Sequence, residues 1–430
     1  ITAGGKDSSG VYNNSTGTIE LGEKLTEEEI ANKKVPQNTP QISGIKYGIY
    51  NFDGKFNFYD GEVTSAKGNS IYSYITDAEE GYAINKTINT DETGNETGTE
   101  TATLVKTNTV EIEGKNSYAT IIELQNAINN LQEKECTVNV LTDFYIIKDE
   151  IITVPEDFKL TLNLNGHTVT TTSTIENNGN LIITDKTDEH KGILRSRNLG
   201  TSNSYKYAIN NIETATMEVK SGEISANSQY EEAINNSGSL KITGGTIKTT
   251  NSYSNGVKNN ETGTLIFNDG NIIATATYYG WGINNNSKNK LVMTGGTITT
   301  SGQNGGGINN NNTGEVSLKG GKIDVSGSYA IGVRNTKGIV EIDEVGVYAN
   351  GGDVKAIYNN TGTINMINGE INSKNNGSDF AYGIYNEGPG IVNISGGIVT
   401  SNNSYNSRAF GVLNHSAGTI NILGTASVNS

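Results

Sequence analysis

The sequence predicts an all-β solenoid built from coils of about 25 residues. Three observations carry this reading. A four-residue step of the form small–Ile/Val–any–Asn recurs nine times between Ala208 and Asn414. An alternating apolar pair follows each step. Glycines punctuate the short runs at a repeated phase.

The branched residue of the step is Ile209, Ile234, Val257, Ile283, Ile308, Val333, Ile357, Ile384 or Val412, at spacings of 25, 23, 26, 25, 25, 24, 27 and 28. Gly or Ala always precedes it. Asn always stands two positions after it: Asn211, Asn236, Asn259, Asn285, Asn310, Asn335, Asn359, Asn386 and Asn414. Constrained, free, constrained is the period of a strand, so Ile and Asn share one face and the intervening residue takes the other. A Gly turn comes next, then an apolar pair such as Leu240/Ile242 or Val316/Leu318. A Gly corner such as Gly245 or Gly321 follows, and then one more apolar residue such as Ile247 or Ile323. About three short strands per unit cannot bury their own apolar face, so the units must stack. Stacked parallel strands lie about 4.8 Å apart, which places the Ile residues in one column and the Asn residues in another. Side-chain ladders suit that spacing. A ladder also removes the roughly few kcal/mol that an unpaired buried amide costs.

Residues 1–86 carry the step more loosely, as Gly10-Val11-Tyr12-Asn13, Gly48-Ile49-Tyr50-Asn51 and Ala83-Ile84-Asn85-Lys86, with pairs Ile19/Leu21 and Phe56/Phe58. Their wider spacing requires insertions. The first insertion predicts a short surface helix over residues 25–34, begun by Thr26 with Glu29 in a capping box and ended before Pro36 and Pro40. Residues 87–116, rich in Thr, Glu, Gly and Asn, form either a linker or a degenerate last coil. A first array is therefore placed at 1–115 and a second at 116–430. The second opens with an amphipathic capping helix at about 118–134. Thr120 and Glu123 make its capping box, and Ile121, Leu124, Ile128 and Leu131 recur at helical spacing. Such a helix covers the apolar end of a solenoid and blocks edge-on association. Strands are expected around 138–141 and 151–154, then in LTLNLNGHTV at 160–169 and NGNLIITD at 178–185, with regular coils over about 208–430.

The repeat resembles right-handed parallel β-helix proteins of the pectate-lyase-like kind. The order helix, strand, LNLNGHTV, NGNLIITD over about 118–200 looks like the start of many bacterial surface β-helix domains. The resemblance implies the hand of the coil, in line with the right-handed preference of parallel crossovers, and an extracellular place, secreted or on the bacterial surface. It is specific for fold and unspecific for activity. Polysaccharide-cleaving enzymes that resemble this fold need acidic Ca²⁺ ligands with a basic residue, or several Asp on adjacent coils. Here Asp269, Asp324, Asp343, Asp353 and Asp379 fall at different phases of the unit, and Arg334 stands alone. No catalytic site, metal site or cofactor is expected. His167, His190 and His415 lack partners at metal-ligand spacing, and Cys136 reads as a small packed residue.

The formal net charge of −15 argues against nucleic acid and against an anionic membrane surface. No run is long enough to span a membrane as a helix. Sixty Asn, and only four Arg beside many Lys, suggest an AT-rich bacterial genome. Ile1 begins in mid-pattern and Ser430 ends without a cap, so the chain is expected to be a piece of a longer protein.

Two aromatic sets stand out. Tyr12, Tyr50, Tyr358 and Tyr385 take the outward, free position of the step. They form either an exposed ladder on which sugars lie or ordinary cross-strand packing. Tyr47, Tyr82, Tyr207, Trp281, Tyr382 and Phe410 stand two residues before the branched residue, the inward phase, and read as corner packing. Tyr278-Tyr279-Gly280-Trp281 is the densest cluster, which makes Tyr279 and Trp281 further contact candidates. The expected role is an adhesin-like surface module that binds a glycan or a host-surface protein. The alternatives are a polysaccharide lyase or hydrolase with an atypical site, or a non-binding stalk.

Overall fold

The structure is a computed structural model that describes residues 1–23, 40–78, 82–90, 96–106, 108–146, 151–198, 200–201, 203–377, 379–404 and 408–430. The helix expected over 25–34 lies outside the described residues. The chain is all-β, a parallel solenoid of about 14 turns with about 25 residues per turn. Contacts divide it into two compact units: Ile1–Ile152 with His167–Ser173, and Thr153–Gly166 with Thr174–Ser430.

In the second unit the recurring step builds an eleven-stranded parallel sheet, from Thr153–Val154 and Ile175–Asn177 through to Ala409–Asn414. Ile209, Ile234, Val257, Ile283, Ile308, Val333, Ile357, Ile384 and Val412 are aligned rung by rung. The uneven sequence spacing is therefore absorbed in the turns. From Ile209 to Ile384 these side chains are fully buried. The other two strands of each turn stack as regularly, with Leu240, Leu265, Leu291, Val316 and Val340 in one column and Ile247, Ile272, Ile298, Ile323 and Val347 in another.

The small residue of the step has a direct cause. A Cβ on Gly256, Gly282 or Gly307 would come within 2.6, 2.4 or 2.3 Å of Cγ2 of Ile272, Ile298 or Ile323. The third strand leans its inward Ile against the backbone just before the step, so at these positions even the methyl of Ala is crowded.

The Asn column is a ladder. Nδ2 of Asn211 donates to Oδ1 of Asn236 (2.7 Å), and the same bond links Asn236 to Asn259 (2.7 Å), Asn259 to Asn285 (2.7 Å) and Asn285 to Asn310 (2.8 Å). It continues from Asn310 to Asn335 (3.1 Å), Asn335 to Asn359 (3.0 Å), Asn359 to Asn386 (2.8 Å) and Asn386 to Asn414 (2.9 Å). One more rung precedes these: Asn177 Nδ2 donates to Asn211 Oδ1 (2.6 Å). Every amide donates toward the higher-numbered turn, so the column is polar along its length and its bonds polarise one another. The second N–H commonly reaches a carbonyl of the following Gly turn, as Asn310 does to Gly314 O (3.1 Å) and Asn359 to Gly362 O (3.0 Å).

In the first unit, Val11 pairs with Ile49 and Ile49 with Ile71. Asn13 Nδ2 donates to Asn51 Oδ1 (2.7 Å), and Asn51 Nδ2 to Ser73 Oγ (2.9 Å). The third step is therefore Ser70-Ile71-Tyr72-Ser73. The expected step at Ala83–Lys86 lies instead in Tyr82–Thr90, antiparallel to Glu96–Lys106. A Ser hydroxyl accepts the ladder bond as well as an Asn carbonyl does, which hid this rung from the Asn pattern. Much of 87–116 is strand: Glu96–Lys106, and Val110–Ile112 antiparallel to Glu135–Val140. One short helix near the middle of the chain, α1, spans Ile121–Asn130 with the Thr120/Glu123 box formed and Ile121, Leu124 and Ile128 buried. The expected strands are present as Glu135–Val140, Thr153–Val154, Lys159–Asn163, Thr168–Thr171 and Asn180–Thr184. Among the described residues no helix is long and apolar enough to cross a membrane.

Candidate functional site

Four positions before each branched residue the chain turns a corner. In the second unit that corner is held by Tyr205, Tyr230, Tyr253, Tyr279, Asn304, Tyr329, Asp353 and Phe380. From Tyr230 to Asp353 the backbone there is left-handed, with φ of 56° at Tyr230, 62° at Tyr253, 54° at Tyr279, 58° at Asn304, 58° at Tyr329 and 49° at Asp353. Each corner N–H from Tyr253 to Tyr329 donates to the carbonyl just before the next corner: Tyr253 to Tyr278 O (3.0 Å), Tyr279 to Gln303 O (2.9 Å), Asn304 to Ser328 O (3.0 Å) and Tyr329 to Gly352 O (2.7 Å). Asn and Asp tolerate this conformation, whereas bulky side chains are outliers in it. Backbone preference therefore accounts for Asn304 and Asp353 but not for the tyrosines.

The rings form a ribbon along the solenoid. Tyr205 meets Tyr230 edge-on at 5.6 Å, Tyr230 stacks on Tyr253 at 4.9 Å, and Tyr253 stacks on Tyr279 at 5.4 Å. The stack stops at Asn304. Tyr279 and Tyr329, the rings on either side of that rung, are 49% and 46% exposed. In a continuous stack each ring face is covered by its neighbour, so only a ring that borders a gap can offer its face to a ligand.

Beside Tyr205 and Tyr207 lies a buried acidic pair. Glu231 receives hydrogen bonds from Ser196 Oγ, from Asn198 N (2.8 Å) and from Ser228 N (2.8 Å); burial still pushes its carboxyl up. Glu232 accepts from Asn255 Nδ2 (3.0 Å) and lies 4.0 Å from Lys258 Nζ, while its Oε2 has no partner among the described residues. Burial pushes Glu232 up to about 7, against the opposing pull of Lys258 and the Asn255 hydrogen bond. Lys258 Nζ also sits 5.5 Å over the Tyr205 ring and 5.9 Å over Tyr207.

The structure locates the candidates of the outward position. Tyr12 stacks on Tyr50 at 4.9 Å and Tyr50 on Tyr72 at 4.8 Å; Tyr12 is 64% exposed, and Tyr50 is covered on both faces. Tyr358 and Tyr385 stand 6.0 Å apart, and each is only 9% exposed. Arg334 lies 5.3 Å over Tyr358, Tyr382 meets Tyr385 at 4.9 Å, and Lys355 lies over both Tyr382 and Tyr385. The Tyr358 hydroxyl donates to Glu387. Trp281 is 8% exposed and packs over Gly306, where a Cβ would meet its Cζ3 at 2.6 Å.

Of the set two residues before the branched residue, Tyr47 and Tyr382 are not inward, whereas Trp281 is buried. Tyr47 meets Tyr50 at 5.1 Å and Tyr382 meets Tyr385, so both phases share the outer face. Rung pairing skips the Gly/Ala position, and this break in the pleat reverses the expected alternation. Tyr82 has no described side chain.

No protein-family model, curated protein or solved structure matches this chain. The reading of the site therefore rests on its own geometry. Among the described residues no three His, Cys, Asp or Glu side chains gather as a metal site. Asp185 is held by Gly166 N (3.2 Å), Thr187 N (3.0 Å), Thr187 Oγ1 (2.7 Å) and Gly192 N (2.5 Å). Burial raises its carboxyl, but these bonds outweigh it and leave it below the usual range, as suits a structural turn. Burial pushes the Cys136 thiol up to about 11, with Lys115 opposing, so it stays protonated and a poor nucleophile at neutral pH.

Sequence reasoning missed the corner column. The signal was present: counting back four from each branched residue gives Tyr at 205, 230, 253, 279 and 329. Strand phase and glycine position say nothing of the residue that turns the corner.

Proposed function

We propose that this chain is an adhesin-like solenoid module of a secreted or surface-attached bacterial protein, and that it binds glycans along the tyrosine corner. The observation that carries the reading is the pair Tyr279 and Tyr329. These are two half-exposed rings held by left-handed backbone at the same corner, where Asn or Asp is the conformationally easy choice. Stacking gives Tyr230, Tyr253 and Tyr279 a packing reason to be aromatic. Tyr329 forms no ring pair among the described residues, so its ring is free to meet a ligand. Within the second unit the solenoid supplies rigidity, because each turn from Asn177 to Asn414 is tied to the next by strand pairing and by the Asn ladder. A pre-positioned ring loses little freedom on binding. The acidic charge directs the choice toward neutral or cationic partners rather than polyanions.

The experiment is binding of the whole chain to a broad glycan array beside an array of host matrix proteins. Saturable binding to a defined glycan class supports the proposal. Binding to matrix proteins alone moves the role to protein adhesion. A blank on both leaves a stalk.

A further inference from the structure

We infer that the one-rung gap between Tyr279 and Tyr329 is a slot that takes a single pyranose residue, held between the two rings above Asn304. The inference rests on the glycan-binding proposal and names the subsite and the ligand class within it.

The spacing selects the occupant. On neighbouring rungs the corner rings lie 4.9 and 5.4 Å apart and fill the space between them. At Asn304 the ring is missing, and two rungs leave roughly 10 Å between equivalent points of Tyr279 and Tyr329. Carbon contacts on the two sides take about 3.5–4 Å each, leaving roughly 2–3 Å for the thickness of the occupant. A flat aromatic ring has almost no thickness and would rattle. A puckered saturated ring fits the gap better, because it is thicker than an aromatic ring and its axial and exocyclic substituents stand off the mean plane. Its C–H groups are weakly positive, and the faces of the tyrosine rings are negative.

Asn304 supplies the polar floor. It is half-buried, and its side-chain amide makes no hydrogen bond among the described residues. One donor pair and one acceptor there match the ring oxygen and hydroxyls of a sugar. Most other asparagines of the second unit's ladder and outer face, such as Asn310, Asn235 and Asn260, are tied into amide chains. The slot is also pre-formed. All three residues have φ between 54° and 58°, fixed by the rung bonds to Gln303 O, Ser328 O and Gly352 O.

The test uses the whole chain and saturation-transfer NMR with the methyl glycosides of glucose, galactose, mannose and N-acetylglucosamine as probes. The decisive variant is Asn304→Tyr. It places a ring on a corner whose φ three neighbouring tyrosines already adopt, so the stack closes and the fold is kept. The wild type should show transfer from at least one glycoside. Asn304→Tyr should melt at or above the wild-type temperature and bind that glycoside roughly tenfold or more weakly. Tyr329→Ala should weaken it similarly. Undiminished binding by folded Asn304→Tyr overturns the slot. So does binding on the glycan array without transfer from any of the four glycosides; in both cases the glycan reading survives. No binding by the wild type in either assay overturns both.

Discussion

Gly282 lies directly beneath Ile298: a methyl group on its Cα would stand 2.4 Å from Ile298 Cγ2. The same relation ties Gly307 to Ile323 at 2.3 Å and Gly332 to Val347 Cγ1 at 2.5 Å. Two features of the repeat that look independent, the small residue of the step and the Ile after the second glycine corner, are thus two sides of one contact. Gly307→Ala should lower stability by about 1–3 kcal/mol through overpacking, read as a drop in melting temperature. Ile323→Ala is itself destabilising, by about 2–5 kcal/mol, but the double variant should lose less than the sum of the two single losses, because the truncation vacates the space the new methyl needs. Strict additivity of the two losses in a double-mutant cycle would show that the contact is not the constraint.

The ladder predicts a directional effect at its centre. Asn310→Leu leaves Asn285 Nδ2 without its acceptor and Asn335 Oδ1 without its donor. Each unmet group costs about 1–3 kcal/mol, so a loss of roughly 2–6 kcal/mol is expected. Asn310→Asp keeps the shape and can still accept from Asn285, but the carboxylate cannot donate to Asn335 or to Gly314 O. Its folded pKa should therefore rise above that of the unfolded chain. Stability of this variant should fall as pH rises from about 4 toward 7, measured by urea unfolding against wild type. A flat pH difference would mean that the amide direction does not matter.

Glu232 gives the chain a pH dependence of its own. Its carboxyl moves from 4.5 to about 7 on folding, chiefly through burial. The folded state holds the proton more tightly, so this contribution to stability is complete below about 4.5 and is lost as pH rises to about 7. Glu232→Gln cannot ionise and escapes that loss. Relative to wild type it should gain stability between pH 4.5 and 7, by roughly 3 kcal/mol at the outside, and the gain should then level off. Lys258→Met removes the opposing positive charge, so it should push Glu232 higher still and extend the falling limb beyond pH 7. Parallel pH profiles for wild type and Glu232→Gln would place the ionisation elsewhere.

The solenoid was legible because its physics is periodic. Ile209 to Val412 occupy one column and Asn211 to Asn414 another because stacking forces equivalent residues onto the same line. The reading failed where a rung keeps the geometry but changes the residue type. Ser73 replaces Asn at the end of the first unit's ladder, and Thr174 replaces Gly or Ala before the Asn177 rung. It failed again where alternation breaks, since the skipped pairing at Gly/Ala sets Tyr382 beside Tyr385 rather than opposite it. The outward position of Tyr358 and Tyr385 could be read from phase. Their cover could not, because Arg334, Lys355 and Tyr382 come from neighbouring rungs and from the misphased position. The corner tyrosines were visible as a repeated offset, but their value depends on which ring faces stay open, and that follows from the missing ring at Asn304.

The measurement that tests the central claim most directly is equilibrium binding of the whole chain, wild type against Tyr279→Ala/Tyr329→Ala, to the glycan class that gives the strongest array signal. Both side chains are half-exposed, so the variant should keep its melting temperature within a few degrees, as surface changes do. Binding should fall by roughly a hundredfold, about 1.4 kcal/mol for each ring. Unchanged affinity in the folded double variant would contradict it and move the ligand away from the tyrosine corner.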